Sequence, residues 1–187
     1  MPVISLLFKD LIKHKFYTRS RPLLPRISYC IRNSASSHAT QAQIHRLEVV
    51  ERKFLVTPAA VSSLRYNGEG SGFTSHGSLG NQTTHDTYYD KNGLLFSKGV
   101  YVRRRNGHWE AKIRAGGNFI NSSFMEVDGN DAVKEIIKCN LIHARDSHSI
   151  EEMLEPCAAF VTERESWRID GRFRVDVDTT WTRFLCK

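Results

Sequence analysis

Five short runs of this chain set ionisable residues on a single parity: Glu51 and Lys53; Arg103 and Arg105; Glu110 and Lys112; Arg164 with Arg168; and Arg174, Asp176 and Asp178. Alternate residues of a strand share a face. Each run therefore aims its charges at one side, where a half-buried strand ordinarily places apolar groups. That side has to be wet or filled by a ligand. Cations and carboxylates lining the inside of a curved sheet make a site for a polyanion that arrives with a metal ion.

The rest of the chain can support such a sheet. Its 187 residues, 40% of them hydrophobic, suffice for one domain of ordinary size and a tail. A net charge of +7 and a pI near 9.4 would point to nucleic acid if the charge were spread evenly. It is not. Eight of the 27 basic residues and one of the 20 acidic ones fall in residues 1–46, leaving 19 of each sign beyond. The part that folds is neutral, so its cations are local and nucleic acid is not an expected partner. Cys30, Cys139, Cys157 and Cys186 are too far apart for a zinc knuckle or a CxxC pair, and read as small thiols in a reducing compartment. No apolar run approaches the roughly 20 residues of a membrane span, so no membrane association is expected. A monomer is the expected state. Residues 1–45 are rich in Arg, Lys and Ser with Asp10 as the one acid, which suits a mitochondrial presequence or a disordered basic tail. The chain thus divides into an extension, 1–45, and a domain, 46–187, with a cytoplasmic or mitochondrial location.

Along the domain, Arg46 to Val56 reads as a strand and Pro58 to Arg65 as a helix capped by Thr57. Asn67 to Gln82, dense in Gly, Ser and Asn, reads as a loop or weak hairpin. Strands follow at Thr83 to Tyr89, Val100 to Arg105, Trp109 to Ile113 and Phe119 to Val127, with Asn106-Gly107 giving the strongest hairpin signal. Asp131 to Leu141 has helical apolar spacing with Asp128 or Asn130 as cap, and Ser149 to Leu154 reads as a second short helix. Ala158 to Ile169 and Arg172 to Val177 are the last strands. The expectation is α+β: an antiparallel meander with a few flanking helices, not a βαβ alternation.

Arginine forks match phosphate oxygens bidentately and lysine acts as a point charge. Arg103 and Arg105 on one strand, Lys112 on its hairpin partner and Arg164 on another could surround a triphosphate, while Arg104 points outward. Mg2+ or Mn2+ needs only one or two carboxylates beside substrate phosphate. Glu51 and Asp176 are the candidates, with Asp178 on the face of Asp176. There is no P-loop, and the histidines lack metal-ligand spacing. Tyr101 and Trp109 near Arg103 and Arg105 raise single-stranded nucleic acid as an option, but a neutral domain lacks the electrostatic footprint.

Read in order, Glu51-Arg52-Lys53-Phe54, Asp86-Thr87-Tyr88-Tyr89-Asp90, Val102-Arg103-Arg104-Arg105, Trp109-Glu110-Ala111-Lys112, Phe160-Val161-Thr162-Glu163-Arg164 and Arg174-Val175-Asp176-Val177-Asp178-Thr179 resemble the motifs of the CYTH superfamily of triphosphate tunnel metalloenzymes, and most of all its thiamine triphosphatases. The resemblance implies an eight-stranded antiparallel tunnel that grips a triphosphate while acidic residues hold Mg2+ and water attacks the terminal phosphorus. It implies phosphate binding by Lys53, Arg103, Arg105, Lys112 and Arg164, with Tyr101 where thiamine triphosphatases usually place a Trp on the thiamine rings. Glu51 and Asp176 would bind metal, and Glu51, Lys53 and Asp176 form the catalytic set. The chain departs from the pattern in two places. Between Leu47 and Lys53 there is one residue too many, so Glu48 joins the metal set only if a bulge absorbs it. After Asp178 the chain runs to Lys187 without the further glutamate-bearing strand of the family, so an incomplete tunnel, C-terminally truncated, is expected. The functions in view are hydrolysis of thiamine triphosphate to thiamine diphosphate and phosphate, hydrolysis of inorganic triphosphate, or triphosphate binding without turnover.

Overall fold

A computed structural model describes residues 3–8, 46–54, 56–66, 73–141 and 149–184. Eight strands occur in it: β1 (Val3–Phe8), β2 (Arg46–Phe54), β3 (His76–Asp90), β4 (Val100–Arg105), β5 (His108–Gly117), β6 (Asn121–Asp128), β7 (Glu155–Ile169) and β8 (Phe173–Phe184). They pair antiparallel in the closed order β1-β2-β6-β5-β4-β3-β7-β8. Among the described residues three α-helices flank them, α1 (Pro58–Tyr66), α2 (Asn130–Asn140) and α3 (Ile150–Met153), with one 3-10 turn at Phe96–Lys98. The antiparallel tunnel with few helices is the architecture the sequence leads one to expect.

Local chemistry explains the connections. Asn106 (φ 47°) and Gly107 (φ 88°) both take the left-handed conformation that a two-residue hairpin turn requires, and in the three-residue turn between β7 and β8 Asp170 (φ 51°) and Gly171 (φ 65°) also have positive φ. At the end of β5, Gly117 admits no side chain, because a Cβ there would lie 2.1 Å from the Asn121 carbonyl oxygen. Thr57 caps α1, its Oγ1 accepting from the Ala60 N–H at 3.1 Å. The cap of α2 differs from expectation. Gly129 holds that place, with no side-chain hydrogen bond from Asp128 or Asn130, and its φ of 96° lets the chain leave β6 directly into the helix.

The apolar core lies outside the barrel. Val100, Val102, Trp109, Ala111, Ile113 and Val127, from the outer faces of β4, β5 and β6, pack with Val133, Ile136 and Ile137 of α2 and with Ile150 and Met153 of α3. On the opposite wall Trp167, Ile169, Val175 and Val177 of β7 and β8 pack with Leu64 of α1. Because strand parity is strict, burying these faces under helices turns the alternate residues, the charged set, into the lumen.

Three strands depart most from the sequence reading, beside smaller extensions of β5 to Gly117 and of β7 back to Glu155. β3 starts at His76, within the segment expected to be a loop, because its backbone pairs with β7 from His76↔Ile169 onward. β8 runs on to Phe184 through its pairing with β7. The third is β1, from the extension. It pairs with β2 over Ile4↔Phe54 to Phe8↔Val50 and with β8 over Val3↔Asp178 to Leu7↔Arg174. The place where a missing strand was expected is thus occupied over those stretches, while beyond Asp178 β8 pairs with β7 alone among the described residues. Apart from Val3–Phe8, the presequence or disordered tail read for residues 1–45 falls outside the described residues.

Candidate functional site

A cavity of about 490 Å3 runs inside the barrel. Its charged wall is formed by Glu51, Asp86, Arg103, Arg105, Lys112, Arg164 and Asp178. Aromatic rings stand among these charges in the lining: Tyr88 and Phe160 meet edge to face at 5.4 Å, and Phe96 and Tyr101 lie 5.6 Å apart. The charge-bearing parity is thus the inner one on each of these strands. Arg104, the outward residue between Arg103 and Arg105, is exposed and lies 3.4 Å from Glu151.

Within the lumen the cations are paired. Arg103 is 6% exposed and donates from Nε to Glu110 at 2.8 Å and from a terminal nitrogen to the Tyr88 hydroxyl at 3.3 Å. Arg105 grips both Asp86 oxygens, at 2.7 and 2.5 Å. Arg164 does the same with Asp178, at 2.6 and 2.5 Å, and lies 3.0 Å from Asp176. Lys112 bridges Glu51 at 3.2 Å and Glu126 at 2.8 Å. Behind Arg164, the fully buried Asp176 accepts from Ser166 at 2.7 Å and from Arg174 at 2.8 Å. Burial works against the charge of Arg103, yet Tyr88, Glu110 and Asp86 together outweigh it and hold its pKa above the ordinary arginine value. For Arg164, too, burial is opposed by Asp178, Asp176 and Glu51, with a net upward shift. Both guanidinium groups stay charged at every working pH.

Three comparisons with known proteins bear on the chain. The family model described as CYTH domain matches residues 47–185, well over half of it. The chain belongs to the CYTH family. No curated protein matches it. Among solved structures, a "putative adenylate cyclase" from Bacillus halodurans is similar at 10% identity and a TM-score of 0.29, over 72% of this chain and 79% of that one.

CYTH domains bind small triphosphates in a tunnel and typically depend on Mg2+. The candidate residues of this CYTH chain distribute unevenly over the structure. Glu51, Tyr101, Arg103, Arg105, Lys112 and Arg164 line one cavity. Asp176 stands directly behind Arg164 and is not itself in the lining. Lys53 is also outside the lining, its Nζ 4.5 Å from the centre of the Phe119 ring. Glu48 pairs in register with Met125, and β2 runs against β6 from Arg46 to Arg52 without a bulge, so nothing shifts Glu48 to the parity of Glu51. Arg168 is exposed. Sequence reasoning gave no role to Asp86, Tyr88, Glu110, Glu126, Ser166 or Arg174. The signal was present for Glu110 and Arg174, which share parity with Lys112 and Asp176, but the partnership of Asp86 with Arg105 depends on strand register alone.

The donors suit Mg2+ in kind. Glu51, Asp176 and Asp178 are hard oxygen ligands gathered around Arg164. The Asp176 Oδ2 atom has Arg164 as charge partner but no hydrogen-bond donor, and the buried Ser122 Oγ, in register with Glu51, has none either. Among the described residues no three acidic, histidine or cysteine side chains form a preassembled cage. The set therefore fits a metal that shares one or two carboxylates with phosphate oxygens, not one held by protein alone. Among the described residues no helix is long and apolar enough to cross a membrane.

Proposed function

We propose that the tunnel binds a triphosphate as its Mg2+ complex and hydrolyses the terminal phosphoanhydride, with thiamine triphosphate as substrate and thiamine diphosphate and phosphate as products. One observation carries this reading: three arginines and a lysine from three strands converge on a single cavity whose lining also holds four aromatic rings. A triphosphate brings about four negative charges, and Arg103, Arg105, Lys112 and Arg164 answer them with four positive ones. The aromatic rings of the lining, Tyr88, Phe96, Tyr101 and Phe160, suit a flat, heteroaromatic group attached to that phosphate chain.

Because each cation already has a carboxylate partner, binding is an exchange. The guanidinium forks turn from Asp86, Glu110 and Asp178 to phosphate oxygens, and the carboxylates so released need a new cation. Glu51 and Asp176 would hold Mg2+, which supplies Lewis-acid polarisation of the phosphate oxygens. The fixed arginines align the chain for in-line attack and hold the charge that develops on the leaving oxygen, which is most of what phosphoryl transfer asks of a protein. Lys112, released from Glu51, neutralises phosphate from the opposite wall. Lys53, outside the cavity lining, would have to leave the Phe119 ring to reach the anion.

The experiment is a phosphate-release assay with Mg2+ and either thiamine triphosphate or inorganic tripolyphosphate. Release from the thiamine ester is expected; faster release from tripolyphosphate would make the protein an inorganic triphosphatase. No release from either by folded protein removes the hydrolase reading. Binding without turnover is the second reading, favoured by the absence of a three-carboxylate cluster among the described residues. It predicts thermal stabilisation by triphosphate that grows with its concentration relative to Kd, without product.

A further inference from the structure

We propose that Asp86 is an internal competitor for phosphate: its carboxylate occupies the Arg105 fork in the ligand-free tunnel, and an incoming polyanion has to displace it. The inference rests on the reading that the tunnel takes a triphosphate, and it concerns how tightly the site holds that anion when no metal accompanies it.

Asp86 is 5% exposed and lies in the wall of the cavity. Both of its oxygens are engaged by Arg105, in the two-pronged geometry by which arginine also takes phosphate. One of them is 3.9 Å from Arg103 as well, so a single carboxylate stands over two of the four phosphate-facing cations. The other arginines have more than one partner. Arg103 retains Tyr88 when it turns from Glu110, and Arg164 retains Asp176 when it turns from Asp178. Among the described residues the side-chain hydrogen bonds of Arg105 go to Asp86 alone. Phosphate and Asp86 thus compete for the same donors, one for one.

Displacement has a consequence for selectivity. An Asp86 carboxylate deprived of Arg105 would be buried with only the more distant Arg103 opposite, an unfavourable state unless a cation enters. Asp86 thereby penalises metal-free anions and favours those that bring Mg2+. Loosely held phosphate, sulfate or metal-free nucleotide would be turned away by the same residue.

The test is isothermal titration of the full chain and of Asp86→Asn with inorganic tripolyphosphate, at constant ionic strength, in EDTA and again in Mg2+. Asp86→Asn is expected to bind about tenfold more tightly in EDTA, as for removal of one charge-assisted competitor, and to show a smaller gain from Mg2+ than the unmodified chain. Glu163→Gln, an exposed carboxylate on β7, should leave both affinities unchanged. Equal or weaker binding by folded Asp86→Asn in EDTA overturns the inference. Should that variant not fold, the Arg105 Nε–H resonance of the unmodified chain decides: it must shift under excess tripolyphosphate, and an unmoved signal is the contrary result. Turnover does not enter. A chain that binds but never hydrolyses keeps this inference and loses the hydrolase, whereas a hydrolase whose Asp86→Asn variant gains no affinity does the opposite.

Discussion

The two faces of the barrel wall solve opposite problems with the same strands. Outward, Val102, Ala111 and Val127 meet α2 and α3 in an apolar layer, with the Arg104–Glu151 pair at its exposed margin. Inward, their immediate neighbours Arg103, Glu110, Lys112 and Glu126 sit in a mesh of charges, each balanced by the next strand. The outer face contributes stability through area removed from water. A buried ion-pair mesh contributes little net stability, because desolvation offsets the attraction. Its presence on the inner face is better explained by what it can release to a ligand than by what it adds to the fold. Function and stability are thereby separated by one residue of strand parity, and mutations can test that separation.

The largest effect is expected inside. Arg103→Ala removes the most buried cation among the described residues and leaves Glu110, Tyr88 and Asp86 without it. Triphosphate affinity or turnover should fall by about 100-fold, read by titration or phosphate release on protein that still folds. Outside, Ile137→Ala in the fully buried face of α2 should cost about 3 kcal/mol of stability, read by denaturant melts, with the affinity of the remaining folded protein unchanged. If Ile137→Ala altered affinity as strongly as Arg103→Ala, the division between faces would be broken.

A smaller, pH-dependent effect belongs to the surface joints. The Ser75 and Thr74 N–H groups and the Thr74 hydroxyl donate to Asp170 and hold its carboxyl below the usual range. Glu165 is held low by the Arg65 guanidinium, from which it accepts at 2.9 Å. Since these folded-state values are depressed, their contribution is present above the ordinary carboxylate range and is lost as pH falls through the depressed values. Thermal melts taken downward from neutral pH should show this loss, and Asp170→Asn should remove its share. Least of all, Arg104→Ala should change stability by under about 0.5 kcal/mol and affinity not at all. A large loss there would refute the assignment of inner and outer parity.

That parity was legible in the sequence because alternation is a local property. Arg103 and Arg105 lie on one side of β4 whatever surrounds them, and Asn106-Gly107 fixes the hairpin that sets Lys112 on the same side. Convergence of Arg164 and Asp178 could be inferred in the same way, given an antiparallel sheet. What could not be read was non-local. The half of β3 from His76 to Gln82 looks like a loop, since its Gly, Ser and Asn residues have low strand preference, and only the β7 backbone beside it makes it a strand. Nothing in Val3–Phe8 announces that it pairs between β2 and β8, because the connection to its partners spans residues outside its own neighbourhood. Asp86 was visible as part of a motif, but its hold on Arg105 follows from the register of two strands that the sequence does not print.

The central claim is that the inner charges form one polyanion site. Calorimetric titration of the full chain with Mg2+–tripolyphosphate, repeated with Arg164→Ala and Arg104→Ala, tests it most directly. Saturable binding at a single site, lost in Arg164→Ala and kept in Arg104→Ala, is the predicted result; absence of saturable heat from folded protein, or equal loss in both variants, would contradict it.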